Sequence, residues 1–248
     1  LDEIGAMEGV STLQIGPIPP SHRAELVREL LGLEPDLAAR VEARTNGNPL
    51  FAVQLVGDWV ERGLLETGPA GFKLRDDASD ALPDSIHEVW VRRIDQVVQG
   101  REDLRQALEI AAILGQEIAV REWVEACEHG GIEAPMSLVR ALEDQRLARI
   151  DHERGGYGWS FVHGMLRESL ERGAKTAGRW AGHHDACAQM LEARSGPGTP
   201  ARYGWHLLCA GRVHDAMAPL QAGSKELILT GDFGAAHRIL DAREEAMR

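Results

Sequence analysis

Leu147-Ala-Arg-Ile-Asp-His-Glu-Arg-Gly-Gly-Tyr-Gly-Trp-Ser-Phe-Val162 is the stretch whose reading decides the fold. Two short segments, Leu147–Ile150 and Tyr157–Val162, flank Glu153-Arg154-Gly155-Gly156, which supplies the positive-φ positions that a hairpin turn requires. Three tightly linked segments with helical apolar spacing precede them. The first, 102–114, ends on Ile110-Ala-Ala-Ile-Leu114 before Gly115; the second, 120–128, shows Val120, Trp123, Val124 and Cys127; the third, 136–147, shows Leu138, Val139 and Leu142. Three helices followed by a β-hairpin spell a winged helix.

Upstream, Leu82-Pro83-Asp84-Ser85 opens this region, with Ser85 and Glu88 spaced as a capping box ahead of Val89, Trp90 and Ile94. Earlier still, Leu13-Gln-Ile15 reads as a short strand closed by Gly16-Pro17-Ile18-Pro19-Pro20, whose prolines lack the N–H groups a strand would use. Ser21 is placed to cap a helix carrying Leu26, Val27, Leu30 and Leu31, and a second short helix follows Pro35-Asp36 with Leu37 and Val41. Thr45-Asn46-Gly47-Asn48-Pro49 breaks the pattern. From Leu50 an amphipathic helix runs through Phe51, Leu55, Val56, Trp59 and Val60 to Gly63, and 67–71 reads as an exposed turn or linker.

Downstream of His163 the chain is helical to its end, interrupted at Gly196-Pro197-Gly198-Thr199-Pro200. Segments 210–220 and 230–240 align at Gly, Ala and Leu, which predicts two stacked helical hairpins: a turn glycine, a small residue at a crossing and a leucine one turn on.

Composition bounds the function. The 248 residues are 44% hydrophobic and 27% charged, a globular balance, and no apolar run approaches the roughly 18 residues of a membrane span. The net charge is −12, and residues 1–150 carry 15 Lys/Arg against 27 Asp/Glu. Nucleic-acid binding rests on cations that displace phosphate counterions, so this acidity argues against DNA or RNA as a direct partner. The third helix of the winged helix offers Arg140 and Arg146 against Glu143 and Asp144, which argues the same way. Cys127, Cys187 and Cys209 lie far apart among apolar neighbours and read as inert thiols in a reducing, cytoplasmic compartment. His183 and His184 are adjacent and cannot share one helical face, and His206, His214 and His237 lack ligand spacing, so no metal site is expected. No G-x-S-x-G elbow occurs, and Ser160 near His163 has no acid or oxyanion donor beside it in the sequence.

The succession Thr45-Asn-Gly-Asn-Pro-Leu-Phe51, Leu82-Pro-Asp-Ser-Ile86 with Arg93-Ile-Asp95, Ala111-Ala-Ile-Leu-Gly115, Phe161-Val-His-Gly-Met-Leu-Arg-Glu168 and Trp205-His-Leu-Leu-Cys-Ala-Gly211 resembles the signal-transduction ATPases with numerous domains. This STAND class, related to the AAA+ ATPases, includes bacterial regulators of the LuxR and maltose-activator type and kinase-fused ATPases. The resemblance implies a mainly α chain: 1–20 as the end of a nucleotide-binding core, 21–78 as a helical lid bundle, 79–165 as a winged helix with a small β-hairpin, and 166–248 as tetratricopeptide-like repeats of an α-solenoid. It further implies a regulatory segment that closes over ADP or ATP in an intact parent and relays binding of a protein partner or small effector at the repeats. The upstream P-loop domain of the same chain would be its first partner.

No G-x-x-x-x-G-K-[ST] run occurs in these residues, so the stretch by itself is expected not to be an enzyme. By the same resemblance Gly47, Asn48 and Pro49 form the lid motif whose proline ring packs on adenine, while the residues alone read equally as a helix start capped by Asn48. His163 matches a histidine that meets the ADP β-phosphate; by itself it is also a helix-start residue bridging wing and helix. Arg92, Arg93 and Asp95 could pair across the lid and winged helix, but charges at this spacing on a helix read first as a solvated face. A nucleotide-independent protein-docking scaffold is the competing function, and a DNA-binding winged-helix regulator the third.

Overall fold

The computed structural model describes residues 13, 16, 18–25, 27, 31–75, 85–151 and 158–247. These divide into two compact units, Leu1–Val89 and Trp90–Arg248, each described by itself. The strand expected at Leu13–Ile15, the 26–31 helix, the 82–84 part of the second opening and the turn at 153–156 fall wholly or largely outside the described residues. As a whole the protein is mainly helical with small antiparallel sheets.

In the first unit α1 (Pro20–Glu25), α2 (Pro35–Thr45) and α3 (Pro49–Glu61) carry the helical part. Prolines stand at the first positions of α2 and α3, where the missing N–H has no intrahelical partner to lose. Helix α1 opens at Pro20, so Ser21 lies inside it instead of capping it from outside. Val41, Leu55 and Trp59 are fully buried at the centre of one apolar cluster. Val60, which shares the apolar run of α3, faces solvent.

The segment 67–71, read as an exposed turn or linker, is the turn of a hairpin. Strand β1 (Leu65–Gly68) pairs antiparallel with β2 (Gly71–Leu74), Leu65 opposite Leu74 and Gly68 opposite Gly71. Leu33 adds a parallel bridge to Phe72, whose N–H donates to the Gly32 carbonyl at 2.8 Å and whose carbonyl accepts from Glu34 N–H at 2.9 Å. Strands this short give no periodic signal, and the glycines at both ends of the loop dominate the local composition.

The second unit takes in most of α4 (Ile86–Val98), then α5 (Glu102–Leu114), β3 (Glu117–Ala119), α6 (Val120–His129), α7 (Met136–Asp144), β4 (Ala148–Asp151) and β5 (Gly158–Phe161). Ser85 caps α4 as expected, its Oγ accepting from Glu88 N–H at 3.3 Å. The hairpin of the sequence reading is β4–β5, and a third strand missed in the sequence joins it: the sheet order is β3-β5-β4. Trp159 of β5 lies between Ile118 and Ile150 in register. Its ring meets Trp123 edge-on at 5.5 Å, and Trp123 Nε1 donates to the Ala107 carbonyl at 2.8 Å. Helix, strand, two helices and two strands in this sheet order form a winged helix, bound together by one aromatic nucleus.

The helical tail follows as α8 (Gly164–Thr176), α9 (Trp180–Glu192), α10 (Thr199–Cys209), α11 (Val213–Leu229) and α12 (Phe233–Ala246). Three of its turns have the same construction. At Gly178, Gly211 and Gly231 the glycine is left-handed, with φ of 71°, 81° and 83°. Each glycine N–H bonds back three residues, and the following N–H bonds back five, to Ala174, Leu207 and Leu227. This is the Schellman arrangement that lets one helix stop and reverse. The aligned alanines Ala216 and Ala236 are both buried at crossings, as the repeat requires. The aligned leucines differ: Leu220 is 0% exposed and Leu240 is 38% exposed.

Candidate functional site

The loop Thr45-Asn46-Gly47-Asn48-Pro49 is braced from three sides. Ile18 N–H donates to the Gly47 carbonyl at 2.9 Å, Arg23 Nε donates to the Ile18 carbonyl at 2.7 Å, and Arg23 Nη1 reaches Asn46 Oδ1 at 3.1 Å. Gly47 sits at φ 76°, and a Cβ there would come within 2.5 Å of Arg23 Nε and 2.7 Å of the Ile18 carbonyl oxygen, so both the backbone and the space demand glycine. Asn48 caps α3, its Oδ1 accepting from Phe51 N–H at 3.1 Å. Pro49 follows at the first helical position with its ring exposed. The loop is therefore a rigid mount for an exposed flat ring. Replacing Asn48 with alanine is expected to lower the stability of the first unit by about 1 kcal/mol, the usual value of such a cap, measurable by chemical denaturation.

His163 lies in the second unit, at the residue preceding α8, and makes no side-chain cap bond. Its half-buried ring stands 5.6 Å from that of Trp90. Burial, and then the nearby Arg93 guanidinium, holds the imidazole below the ordinary histidine range. Arg93 is itself buried, with Nη2 donating to the Gln145 carbonyl at 2.8 Å at the end of α7. This corrects the reading of Arg93 as part of a solvated face. Asp95 is also engaged, bonded to Arg105 of α5. Trp90, Arg93 and His163 thus form one corner of the winged helix where α4 meets the start of α8. The neutral imidazole beside a fixed cation would gain a proton most readily when an anion arrives.

Sequence reasoning missed two polar clusters in the helical interior. Glu109 of α5 is 1% exposed and accepts from Arg179 through both carboxylate oxygens, at 2.6 and 2.8 Å; His183 Nε2 lies 2.9 Å from Oε2. Burial pushes the Glu109 carboxyl up, but the bonds from Arg179 and His183 outweigh it and leave it below the usual carboxylate value. The second cluster is a histidine pair, with His184 Nδ1 2.9 Å from His206 Nδ1, both rings buried. The sequence signal for the first was a lone carboxylate inside an apolar run, Leu108-Glu109-Ile110; for the second there was only a pair of polar rings among alanines.

Cys127 and Cys187 are buried thiols, Cys127 pushed up to about 12 by burial and Cys187 raised for the same reason, whereas Cys209 is only half-buried. Among the described residues no three His, Cys, Asp or Glu side chains group to hold a metal, and no helix is long and apolar enough to cross a membrane.

No protein-family model matches the chain. It is similar to a phosphoglucosamine mutase of Acidothermus cellulolyticus, 26% identical over 190 residues, which is 74% of this chain and 38% of that protein. The chain therefore matches well under half the length of that relative. The similarity corrects the expectation that the stretch is not an enzyme, since the relative bears an enzyme's name. The physical error in that expectation is plain: a missing P-loop removes one way of gripping phosphates, not catalysis in general.

Proposed function

We propose that these residues are the regulatory segment of a nucleotide-dependent signal-transduction ATPase, cytoplasmic, in which they close over ADP or ATP held by a P-loop core of the same chain. The observation that carries this reading is the mount at Gly47-Asn48-Pro49: Arg23, Ile18 and the Asn48 cap fix an exposed proline ring at a helix start. A flat, preorganised apolar ring suits an adenine face, because little side-chain freedom is lost on contact. In the second unit, taken by itself, His163 is the candidate for phosphate, a neutral imidazole next to Arg93 that a phosphate would draw towards the charged form. The helical hairpins α10–α12 receive a protein partner or small effector, and its binding shifts the population between closed and open forms.

The test is ADP affinity of the parent protein. Pro49→Ala and His163→Ala are each expected to weaken ADP about tenfold, the equivalent of one good contact. In the unaltered protein ADP binding is expected to take up protons, and the affinity to rise as pH falls towards the ordinary histidine range, because His163 is below that range when free. His163→Ala abolishes that linkage. Unchanged affinity in both variants, or a parent lacking a P-loop, sinks the reading.

A docking scaffold indifferent to nucleotide is the second reading, favoured by the apolar tip of the last hairpin, where Leu229 is 86% and Phe233 66% exposed. Partner binding that is equal with and without ADP would select it.

A further inference from the structure

Helix α9 carries His183 and His184 side by side, and the two rings face different neighbours. His183 Nε2 meets the Glu109 carboxylate of α5 at 2.9 Å, within the Arg179 bonds that fasten α9 to the winged helix. His184 points the other way, to His206 of α10, Nδ1 to Nδ1 at 2.9 Å. Such a contact exists only when one nitrogen carries a hydrogen and the other a lone pair, so at least one ring must be neutral. The remaining ring nitrogen of His184, Nε2, is buried and has no partner among the described residues. Trp180 closes the edge of the His184 ring at 4.3 Å, with Lys175 Nζ 4.0 Å over the indole.

The titratable and charged groups acting on the pair from the packed elements are all basic side chains. They are Lys175 of α8, His183 of α9 and Arg202 of α10, the last bound in turn to Glu122 of α6. Among the described residues no carboxylate is hydrogen-bonded to either ring, the nearby Glu171 of α8 being bonded to Arg167, whereas Glu109 is bonded to His183. The His183 contact therefore includes a carboxylate, and the His184–His206 contact is between two bases.

We propose that His183 and His184 make α9 a proton-operated hinge: acid loosens α10–α12 from α9 at the His184–His206 contact, while His183 keeps α9 fastened to Glu109 of the winged helix. The device is independent of nucleotide. Burial and the facing cations hold both rings far below the ordinary histidine value, His184 to about 3 and His206 to about 4. The opened form, with both rings in water, takes protons at about 6.5. Because that form binds more protons, acid favours it, and the advantage is absent above about pH 6.5 and grows as pH falls below it.

The measurement is amide hydrogen exchange of the whole chain, corrected for the intrinsic pH dependence of exchange, between pH 7 and 4.5. Two rings released to ordinary values raise the opening equilibrium of 199–229 on the order of 10³-fold over this range, and one ring on the order of 10²-fold. The rise is expected in α10 and α11 while α5 and α9 keep their protection. His206→Asn keeps a short amide opposite His184 Nδ1 and is expected to reduce the rise to the single-ring value. His184→Asn with His206→Asn abolishes it. Flat exchange in the unaltered chain, simultaneous opening of α5 with α10, or an undiminished rise in His206→Asn overturns the proposal. Should a variant not fold, nitrogen NMR of the histidine rings in the unaltered chain decides instead. Both rings neutral at pH 5.5 in the packed form, one with hydrogen on Nδ1 and one on Nε2, supports the hinge; a charged His184 or His206 with α9 and α10 still packed overturns it.

Discussion

Replacement of Glu109 by alanine is expected to destabilise the second unit by about 3–5 kcal/mol, the range measured when one partner of a buried ion pair is removed. The carboxylate is 1% exposed and holds two donors on Arg179 and one ring nitrogen on His183, so its loss leaves a guanidinium and an imidazole facing a cavity. Arg179 keeps a third contact, Nη1 to Glu102 Oε1 at 2.9 Å, and is partly solvated, which places the loss towards the lower end of that range. Glu109→Gln preserves the volume but supplies a donor where an acceptor is needed, and is expected to lose about 2 kcal/mol or more. Equilibrium denaturation reads both values. A loss under about 1 kcal/mol in Glu109→Ala would show that the pair is not holding α5 to α9.

The same carboxylate fixes an acid limit. Its folded-state value lies below the unfolded one, so its contribution is complete above the ordinary glutamate range and is lost as pH falls through the folded value. Stability that fell on raising the pH through 5 would contradict this sign.

What the sequence disclosed and what it hid follow one division. The helices were legible because each repeats its apolar residues within a few positions, as in Trp123, Ala126 and Cys127 of α6, and the helix stops were legible from Gly211 and Gly231. Strand β4 and strand β5 were legible because a glycine pair stands between them. Strand β3 was not: three residues long, it exists only through pairing with β5, some forty positions later. Local periodicity carries no trace of such a partner. The proposed nucleotide contacts at Gly47, Asn48, Pro49 and His163 came from resemblance and spacing. The buried polar clusters did not, since Glu109 and Arg179 are 70 positions apart, and His184 and His206 are brought together only by the reversal between α9 and α10. An adjacency rule, that neighbouring histidines face apart, kept His183 and His184 from being read as one site and concealed that each had a separate partner.

The crossing of α10 and α11 gives the second large effect, and it concerns glycines that the sequence reading passed over. A Cβ on Gly223 would lie 2.5 Å from both Cα and N of Ala201, and a Cβ on Gly204 would lie 2.7 Å from Leu220 N. The obstacles are backbone atoms, so no rotamer change relieves the clash and the two helices must move apart. Helix propensity alone favours alanine over glycine by about 1 kcal/mol. Separation of the helices also loosens Ala188, Leu207, Ala216 and Leu220, which form one apolar cluster across this crossing. Overpacking of this kind costs about 1–3 kcal/mol and more when backbone must shift, so Gly223→Ala is expected to lose about 2 kcal/mol net in spite of its better propensity. Gly182, inside α9 with open space where its Cβ would be, is the matched control, and Gly182→Ala is expected to gain up to about 1 kcal/mol. The informative quantity is the difference between the two substitutions, about 3 kcal/mol, because it cancels the propensity contribution and leaves the crossing alone. Equal melting temperatures for the two variants would mean that α10 and α11 do not approach through Gly204 and Gly223, and the repeat would then have to be stacked on some other face.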